Sequence, residues 1–137
     1  MKSISVFGLG YVGAVTAVCF AQKGNRVIGV DLSSQKVDSL ESGRAPIVEA
    51  KVEEMAAEAH VSGRLHATTD AVAAVNDTDI SFICVGTPSQ RNGKLDMRGV
   101  ERVCKDIGHA LRRRSLDFDH LEQKLLTSNE LGSFEAR

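Results

Sequence analysis

Three glycines near the amino terminus have the spacing of a phosphate-binding turn. They stand at positions 8, 10 and 13, directly after the apolar run Ile4–Phe7. Between a strand and a helix, Gly8 would permit the tight turn, Gly10 would let a phosphate approach the backbone, and Gly13 would let the helix pack close to the strand. The free N–H groups and positive dipole end of that helix would hold the anion. The glycines therefore predict a site for the pyrophosphate of a dinucleotide.

An acidic residue stands where the ribose of such a ligand would lie. The apolar run Arg26–Val30 ends at Asp31, which follows Gly13 by 18 positions. Dinucleotide-binding folds place a carboxylate about 20 residues after the glycines, where it accepts the ribose hydroxyls. It would repel a 2′-phosphate, and no arginine follows closely, so NAD is predicted rather than NADP. Glycines serve turns in any fold, but strand, helix, strand and acid in register favour the cofactor site.

Two more residues are candidates for the same ligand. Lys36 lies one helical turn beyond Asp31, where its ammonium could reach the adenosine end; a solvated surface lysine is the alternative. Thr87 follows the strongest strand signal of the chain, Ile80–Val85. Ligands of doubly wound sheets lie at the carboxyl ends of the strands, near the reversal of strand order. That places Thr87 near the nicotinamide half, unless Gly86 and Thr87 form only an ordinary turn.

Hydrophobic periodicity predicts the elements that must position these residues. Strands are expected at Ile4–Phe7, Arg26–Val30, Leu65–Thr68 and Ile80–Val85, and helices at Ala14–Lys23, Ser33–Ser42, Ala50–His60, Ala71–Val75 and Asp96–Arg112. The helix caps are expected to be Ser33 or Ser34 for the second helix and Asp70 for the fourth. The order predicts an α/β fold, a Rossmann-like doubly wound parallel sheet.

The pattern fails after the last of these helices. Another buried strand should follow, yet residues 112–120 contain no apolar run. Leu121, Leu125 and Leu126 could line a short helix, and Thr127–Arg137 reads as a loose polar tail. The sequence thus predicts a partial Rossmann domain over residues 1–113, with the later strands missing, and a divergent tail over 114–137. The strand Ile80–Val85 would then be an exposed edge inviting self-association, unless the tail covers it.

Composition limits the classes of function. A chain of 137 residues fits one domain, and a net charge of −1 gives no reason to expect nucleic acid or an anionic membrane as a partner. With neither a membrane-length apolar run nor a signal peptide, a cytoplasmic protein is expected.

Cys19, Cys84 and Cys104 lie on apolar stretches and are expected to be buried thiols. His60 and His66 lack partners at metal spacing and are expected to be surface or turn residues, so no metal site is predicted. The arginines at 112–114 are expected to form a solvated helix end.

Taken together, three segments resemble a known family. They are residues 7–13, which end in Gly-Tyr-Val-Gly, residues 43–49, and residues 82–89, which contain Val-Gly-Thr-Pro. With Asp31, they are similar to the NAD-binding domain of the UDP-glucose/GDP-mannose 6-dehydrogenase family, from Ser3 to about Arg113. The resemblance implies that Tyr11 and Val12 give backbone contacts to the pyrophosphate. It also implies that Asp31 and Lys36 hold the adenosine ribose and that Thr87 contacts the cofactor near the nicotinamide.

The same resemblance implies a reaction. Members oxidise the C6 alcohol of a nucleotide sugar to a carboxylate in two hydride transfers to NAD, through a thiohemiacetal on a cysteine, and supply uronic acids for polysaccharides such as alginate. Residues 82–89, followed by Asn92-Gly93 and Leu95-Asp96, favour the branch that acts on GDP-mannose. A UDP-glucose 6-dehydrogenase fragment, another NAD-dependent hydroxyacid dehydrogenase and a non-catalytic NAD-binding regulatory module are the alternatives.

The chain departs from the family at two places. Glu49-Ala50-Lys51-Val52 replaces the family's Glu-Pro-Gly-Leu, which leaves any role of Glu49 open. After about Arg113 the central helix and the sugar-binding domain with its Gly-Gly-x-Cys nucleophile are absent, and none of the three cysteines matches that motif. We therefore expect the chain to contain only the cofactor-binding part, with no catalytic residue. It would be inactive alone and would meet a nucleotide sugar only if the missing domain were present.

Overall fold

The computed structural model describes residues 1–114 and the backbone of residues 124–127. The first half of the chain alternates strands and helices: β1 (Ser3–Phe7), α1 (Tyr11–Gln22), β2 (Arg26–Val30), α2 (Ser34–Glu41), α3 (Ala50–Val61) and β3 (Leu65–Thr68). The second half continues with α4 (Ala71–Asn76), β4 (Ile80–Ile83), α5 (Arg98–Arg114) and β5 (Lys124–Thr127). No helix in this described part is long and apolar enough to cross a membrane.

The strands form one parallel sheet in the order β3-β2-β1-β4-β5. β1 lies between β2 and β4, with Ile4 opposite Val27 on one side and Ile80 on the other. The chain first winds from β1 outward to β3 and then returns across β1 to β4. Strand order therefore reverses between β1 and β4, and the prediction of an α/β, doubly wound, Rossmann-like parallel sheet is confirmed.

Two apolar layers cover the sheet. On one face, side chains of α1, α2 and α3 pack on Val6, Val27 and Phe82 of the strands. The ring of Phe82 also meets that of Phe20, with 4.8 Å between their centroids. On the other face, α4 and α5 pack on the apolar side chains that point the opposite way. Strands buried on both faces read as nearly continuous apolar runs, which is why they were visible in the sequence.

Both predicted caps are present. The Ser33 Oγ accepts a hydrogen bond from the Lys36 N–H at 3.4 Å, and the Asp70 Oδ1 accepts one from the Ala73 N–H at 3.0 Å. Gly24, which follows the last residues of the first helix, has a φ of +87°, a left-handed conformation that favours glycine. The helix α1 begins at Tyr11, three residues earlier than expected, and α5 runs from Arg98 to Arg114 rather than from Asp96 to Arg112.

The prediction for the carboxyl-terminal segment is wrong where the structure describes it. Leu125 and Leu126 lie in β5 and not in a helix, and Ile80 of β4 pairs with Lys124. The strand β4 is therefore interior, because a segment of the tail covers the edge that β4 would otherwise expose. A four-residue strand is too short to show periodicity, so its place depends on the neighbouring strand. Leu121 and the rest of the predicted tail, residues 115–123 and 128–137, lie outside the described residues.

Five further side chains differ from expectation. Cys104 is exposed, and Cys19 and Cys84 are only half-buried. The inward stripe of α5 passes through Val103, and the next residue of a helix points about 100° away. His60 lies half-buried within α3 instead of at the surface or in a turn. Arg114 does not form a solvated helix end: its guanidinium donates to two carbonyl oxygens at the end of α4.

Candidate functional site

The turn between β1 and α1 contains the three glycines in distinct environments. Gly8 has a φ of +95°, and a Cβ there would lie 2.8 Å from the carbonyl oxygen of Cys84. A Cβ on Gly13 would lie 1.6 Å from the carbonyl oxygen of Gly8. At Gly10, by contrast, a Cβ would meet no atom within 4 Å. The fold itself therefore requires Gly8 and Gly13, whereas Gly10 leaves open space above the backbone.

The amino terminus of α1 opens onto that space. The first hydrogen bond of the helix runs from the Ala14 N–H to the Gly10 carbonyl, at 2.9 Å. The N–H groups of Tyr11, Val12 and Gly13 precede it and have no partner within the helix. No side chain caps this end, because the cap position is Gly10. Unpaired N–H groups and the helix dipole make such an end a site for an anion.

Asp31 follows β2 directly and reaches the glycine turn. Its Oδ2 accepts a hydrogen bond from the Leu9 N–H at 2.7 Å, and its Oδ1 accepts one from the Ser33 N–H at 2.9 Å. The Lys36 Nζ, on the first turn of α2, lies 3.8 Å from Asp31 Oδ2. The Asp31 side chain is 14% exposed and that of Lys36 is 42% exposed. The acid, the lysine and the turn thus come together at one edge of the sheet.

Thr87 lies on the other side of the turn. It is half-buried in the segment that follows β4, and β4 flanks β1 opposite to β2. The Cys84 N–H donates to the Phe7 carbonyl at 2.7 Å, so the chain still runs beside β1 as it leaves the sheet. Asp31 and Thr87 therefore lie on opposite sides of the glycine turn.

A cleft of about 450 Å³ opens at this carboxyl edge of the sheet. Its walls include Gly8 and Asp31, and they add residues that the sequence did not identify: Leu32, Thr69, Val85, Gly99 and Arg102. One signal was available in the sequence, because an apolar residue, Leu32, directly follows the predicted ribose acceptor; the structure leaves it 72% exposed. The residues from α5 had no local signal, since only the packing of α5 on the sheet brings them to the cleft.

Two titratable side chains beside residues of the cleft, Asp96 and Cys84, have shifted pKa values. The guanidinium and backbone N–H of Arg98 hold the pKa of Asp96 down to about 2, and the two side chains form a forked pair with a shortest distance of 2.6 Å. Burial raises the pKa of the Cys84 thiol, an effect that a hydrogen bond with Thr16 partly opposes. A thiol with a raised pKa is mostly protonated at neutral pH and is therefore a poor nucleophile.

Comparison with known proteins identifies the domain. A model described as the UDP-glucose/GDP-mannose dehydrogenase family, NAD binding domain, matches residues 2–117. The chain belongs to this family. The resemblance predicted from the motifs is confirmed, and so is NAD as the cofactor of the domain.

Curated members of the UDP-glucose/GDP-mannose dehydrogenase family match most of the chain. The GDP-mannose 6-dehydrogenase of Pseudomonas aeruginosa is 54% identical over 112 residues, which are 82% of this chain and 26% of that protein. The UDP-glucose 6-dehydrogenase TuaD of Bacillus subtilis is 39% identical over 111 residues, which are 81% of this chain and 24% of that protein. The chain thus spans about a quarter of the length of these relatives.

Solved structures of family members share the fold. The chain superposes on a ternary complex of GDP-mannose dehydrogenase from Pseudomonas aeruginosa with a TM-score of 0.81 and 53% identity, covering 84% of this chain and 26% of that one. A UDP-glucose dehydrogenase from Pyrobaculum islandicum gives a TM-score of 0.80 at 45% identity, covering 83% and 26%. Each likeness ends within the amino-terminal domain of the longer protein.

Proposed function

We propose that this chain is the cofactor-binding part of an NAD-dependent nucleotide-sugar 6-dehydrogenase whose substrate is GDP-mannose. One observation carries the proposal: the Asp31 carboxylate and the open amino terminus of α1 flank the same glycine turn, joined by the 2.7 Å hydrogen bond from the Leu9 N–H. A ribose and a pyrophosphate are adjacent in the adenosine half of NAD. The spacing of these two features therefore suits that half of the cofactor.

The residues present fit such a ligand. The pyrophosphate would accept hydrogen bonds from the N–H groups of Tyr11, Val12 and Gly13, in the open space that Gly10 leaves. The adenosine ribose would donate its hydroxyls to Asp31, with Lys36 beside it. Thr87 would contact the cofactor near the nicotinamide, on the β4 side of the turn. A carboxylate at the ribose would disfavour a 2′-phosphate and thereby favour NAD over NADP.

The reaction proposed for the longer enzyme is oxidation of the sugar C6 alcohol to a carboxylate. When bound at the site described above, NAD would supply the hydride acceptor for both oxidation steps. The residues of this chain bind and orient the cofactor and hold it against the sheet edge, where the cleft excludes part of the solvent. Cys84, whose side chain lies beside the glycine turn, is a poor nucleophile for the reason given above, and we assign the thiol for the aldehyde step to the part of the longer enzyme that this chain does not span.

The choice of sugar rests on sequence similarity. Curated GDP-mannose 6-dehydrogenases are 48% to 54% identical to the chain, whereas the UDP-glucose dehydrogenases compared are 38% to 45% identical. UDP-glucose is the alternative substrate. The two are distinguished by the nucleotide sugar that supports NAD reduction in a full-length enzyme carrying this domain.

Gly10→Ala tests the cofactor site directly. The added methyl group meets no protein atom, and Gly10 has an ordinary φ of −75°, so the variant should fold normally. The methyl would occupy the space proposed for the pyrophosphate, and we expect the affinity for NAD to fall at least about tenfold by calorimetric titration. Unchanged affinity in the folded variant would contradict the proposal.

We also propose that copies of the chain associate through the edge of the sheet. On the β4 side of the sheet the outer strand is β5, because no strand of the described residues pairs with the outer side of β5. An open edge presents unpaired backbone groups to another chain. Light scattering should give an apparent mass that rises with concentration. A constant monomer mass over the same range would exclude this association.

A further inference from the structure

Asp31 holds two backbone turns at once. Its two carboxylate oxygens accept from different chain segments, Oδ2 from the Leu9 N–H at 2.7 Å and Oδ1 from the Ser33 N–H at 2.9 Å. Leu9 lies inside the glycine turn before α1, and Ser33 is the cap of α2. One carboxylate therefore joins the turn that follows β1 to the turn that follows β2.

The glycine turn has other contacts among the described residues, but none of them holds the Leu9 N–H. The Gly8 N–H donates to the Val30 carbonyl at 2.7 Å, which holds the first residue of the turn against β2. The Leu9 side chain is fully buried over Gly29, where an added Cβ would come within 2.8 Å of Leu9 Cδ2. The backbone of Leu9 is held by Asp31 alone among the side chains described. Its position sets where Gly10 and the first N–H groups of α1 lie.

The carboxylate keeps capacity for a ligand while it holds the turn. An ionised carboxylate has about four lone-pair sites, and the two backbone N–H groups use two of them. The Lys36 Nζ stands 3.8 Å from Oδ2, and the Asp31 side chain is still 14% exposed. A ribose diol can therefore bind at Asp31 without displacing the hydrogen bond from Leu9.

We propose that Asp31 is the positioning residue of the glycine turn, so that the ribose site and the pyrophosphate site are coupled through one carboxylate. This inference rests on the proposed function and deepens it. A residue that only accepts the ribose hydroxyls would affect ligands that carry the diol. A residue that also positions the turn affects phosphate binding by ligands that lack it.

The test compares ADP with 2′,3′-dideoxyadenosine diphosphate on the full chain and on Asp31→Asn, by titration of the amide NMR signals. The amide offers one oxygen and an NH₂ group, so it cannot accept from both backbone N–H groups on separate atoms. We expect Asp31→Asn to weaken ADP and also to weaken the dideoxy compound, by at least about threefold. Asp38→Asn, an exposed acid on α2, is the matched control and should change neither affinity.

A second readout needs no ligand. In Asp31→Asn the Leu9 amide should exchange faster with solvent, while the Gly8 amide, which donates to Val30, should not change. If the variant fails to fold, the unaltered chain still gives an answer. Adenosine, which lacks phosphate, should shift the Leu9 amide signal through the shared carboxylate, and 2′,3′-dideoxyadenosine should not.

The outcomes separate the two proposals. If the unaltered chain binds ADP but Asp31→Asn leaves the affinity for the dideoxy compound and the exchange of Leu9 unchanged, the coupling is wrong and the cofactor site stands. If the folded, unaltered chain binds neither nucleotide, the proposed function fails and the coupling fails with it.

Discussion

The glycines of the turn before α1 differ in the contacts that an added methyl group would make. At Gly13 the added carbon would overlap the carbonyl oxygen of Gly8, only 1.6 Å away, and neither backbone segment can move without shifting α1 or β1. At Gly10 the same carbon would stand in open space. One motif thus contains a glycine required for packing and a glycine required only by a ligand.

Gly13→Ala should therefore destabilise the domain. Overpacking of this kind costs about 3 kcal/mol of the free energy of unfolding, or more when backbone atoms collide. Gly10→Ala should change it by less than about 1 kcal/mol, because a weaker helix cap is offset by a less flexible unfolded chain. Thermal unfolding of both variants without ligand checks this difference, and equal stabilities would contradict it.

A second residue-scale feature joins the starts of β1 and β4. The Ser3 Oγ and the Ser3 N–H donate to Asp79 Oδ2 at 2.6 Å and 3.2 Å. These hydrogen bonds, the one from the side chain first, lower the pKa of Asp79 below its ordinary 3.8. The ionised form is therefore favoured in the folded state. Its contribution to stability is present above pH 3.8 and is lost as the pH falls through the lowered value.

Ser3→Ala removes the larger of the two effects. We expect the variant to melt below the unaltered chain at neutral pH, with a difference that shrinks as the pH falls below 3.8, where Asp79 becomes protonated in both proteins. Ser34→Ala, an exposed serine at the start of α2, is the control. Melting curves from pH 7 to pH 2 measure the difference. A gap that stays constant across this range would show that Asp79 is not responsible.

At the scale of elements, α5 shows that hydrophobic periodicity predicts a helix but does not predict the contacts of the polar residues at its end. Hydrophobic periodicity predicts the helix, and Val103 and Ile107 are buried as a helical stripe requires, but Cys104, which is also expected to be buried, is exposed. The end of the helix was interpreted as three equivalent solvated arginines. In the structure Arg114 turns inward, and its Nη1 donates to the carbonyls of Val75 and Thr78 at 3.1 Å and 3.2 Å. Val75 lies in the last turn of α4 and Thr78 two residues beyond the helix, so Arg114 ties α5 to the end of α4 and the segment after it.

Arg114→Met should lower the free energy of unfolding by about 2 kcal/mol, because hydrogen bonds from a charged donor to partly buried carbonyls are among the stronger ones. The methionine keeps most of the apolar stem. Arg113→Met is the matched control, since Arg113 is adjacent and exposed, and it should change stability by less than about 0.5 kcal/mol. Urea unfolding measures both. Similar losses in the two variants would mean that the contacts with α4 contribute little.

At the scale of the whole molecule, strand order creates the site. Because β2 and β4 lie on opposite sides of β1, the chain segments that leave these three strands diverge and open the cleft between them. Asp31 lines the cleft on the β2 side, and Val85, two residues before Thr87, lines it on the β4 side. The fold thus presents one binding edge, and its relatives use about three quarters of their length for other parts.

The 137-residue chain should therefore bind NAD and yet not oxidise a sugar. Incubated with NAD and GDP-mannose, it should produce no sustained NADH absorbance, because the thiol nearest to the cofactor site, that of Cys84, has a raised pKa and is half-buried. A full-length GDP-mannose 6-dehydrogenase is the positive control. Continuous turnover by the purified chain would show that a nucleophile within it has been overlooked.

The amino-acid sequence by itself determined the glycine turn, the acid that follows the second strand, four of the five strands and the family. These features follow from residues that are close together in the sequence. The patterns are the spacings within one β-α-β unit, the apolar runs of strands buried on both faces, and the caps at Ser33 and Asp70.

Tertiary structure alone decided which contacts join distant segments. Three such contacts link residues that are 22 or more positions apart. They are the pairing of β5 with β4, the hydrogen bonds of Arg114 and the hydrogen bond from Leu9 to Asp31. Nothing in the neighbourhood of either partner encodes such a pairing. It exists only because the sheet and its two helical layers bring both partners to the same place.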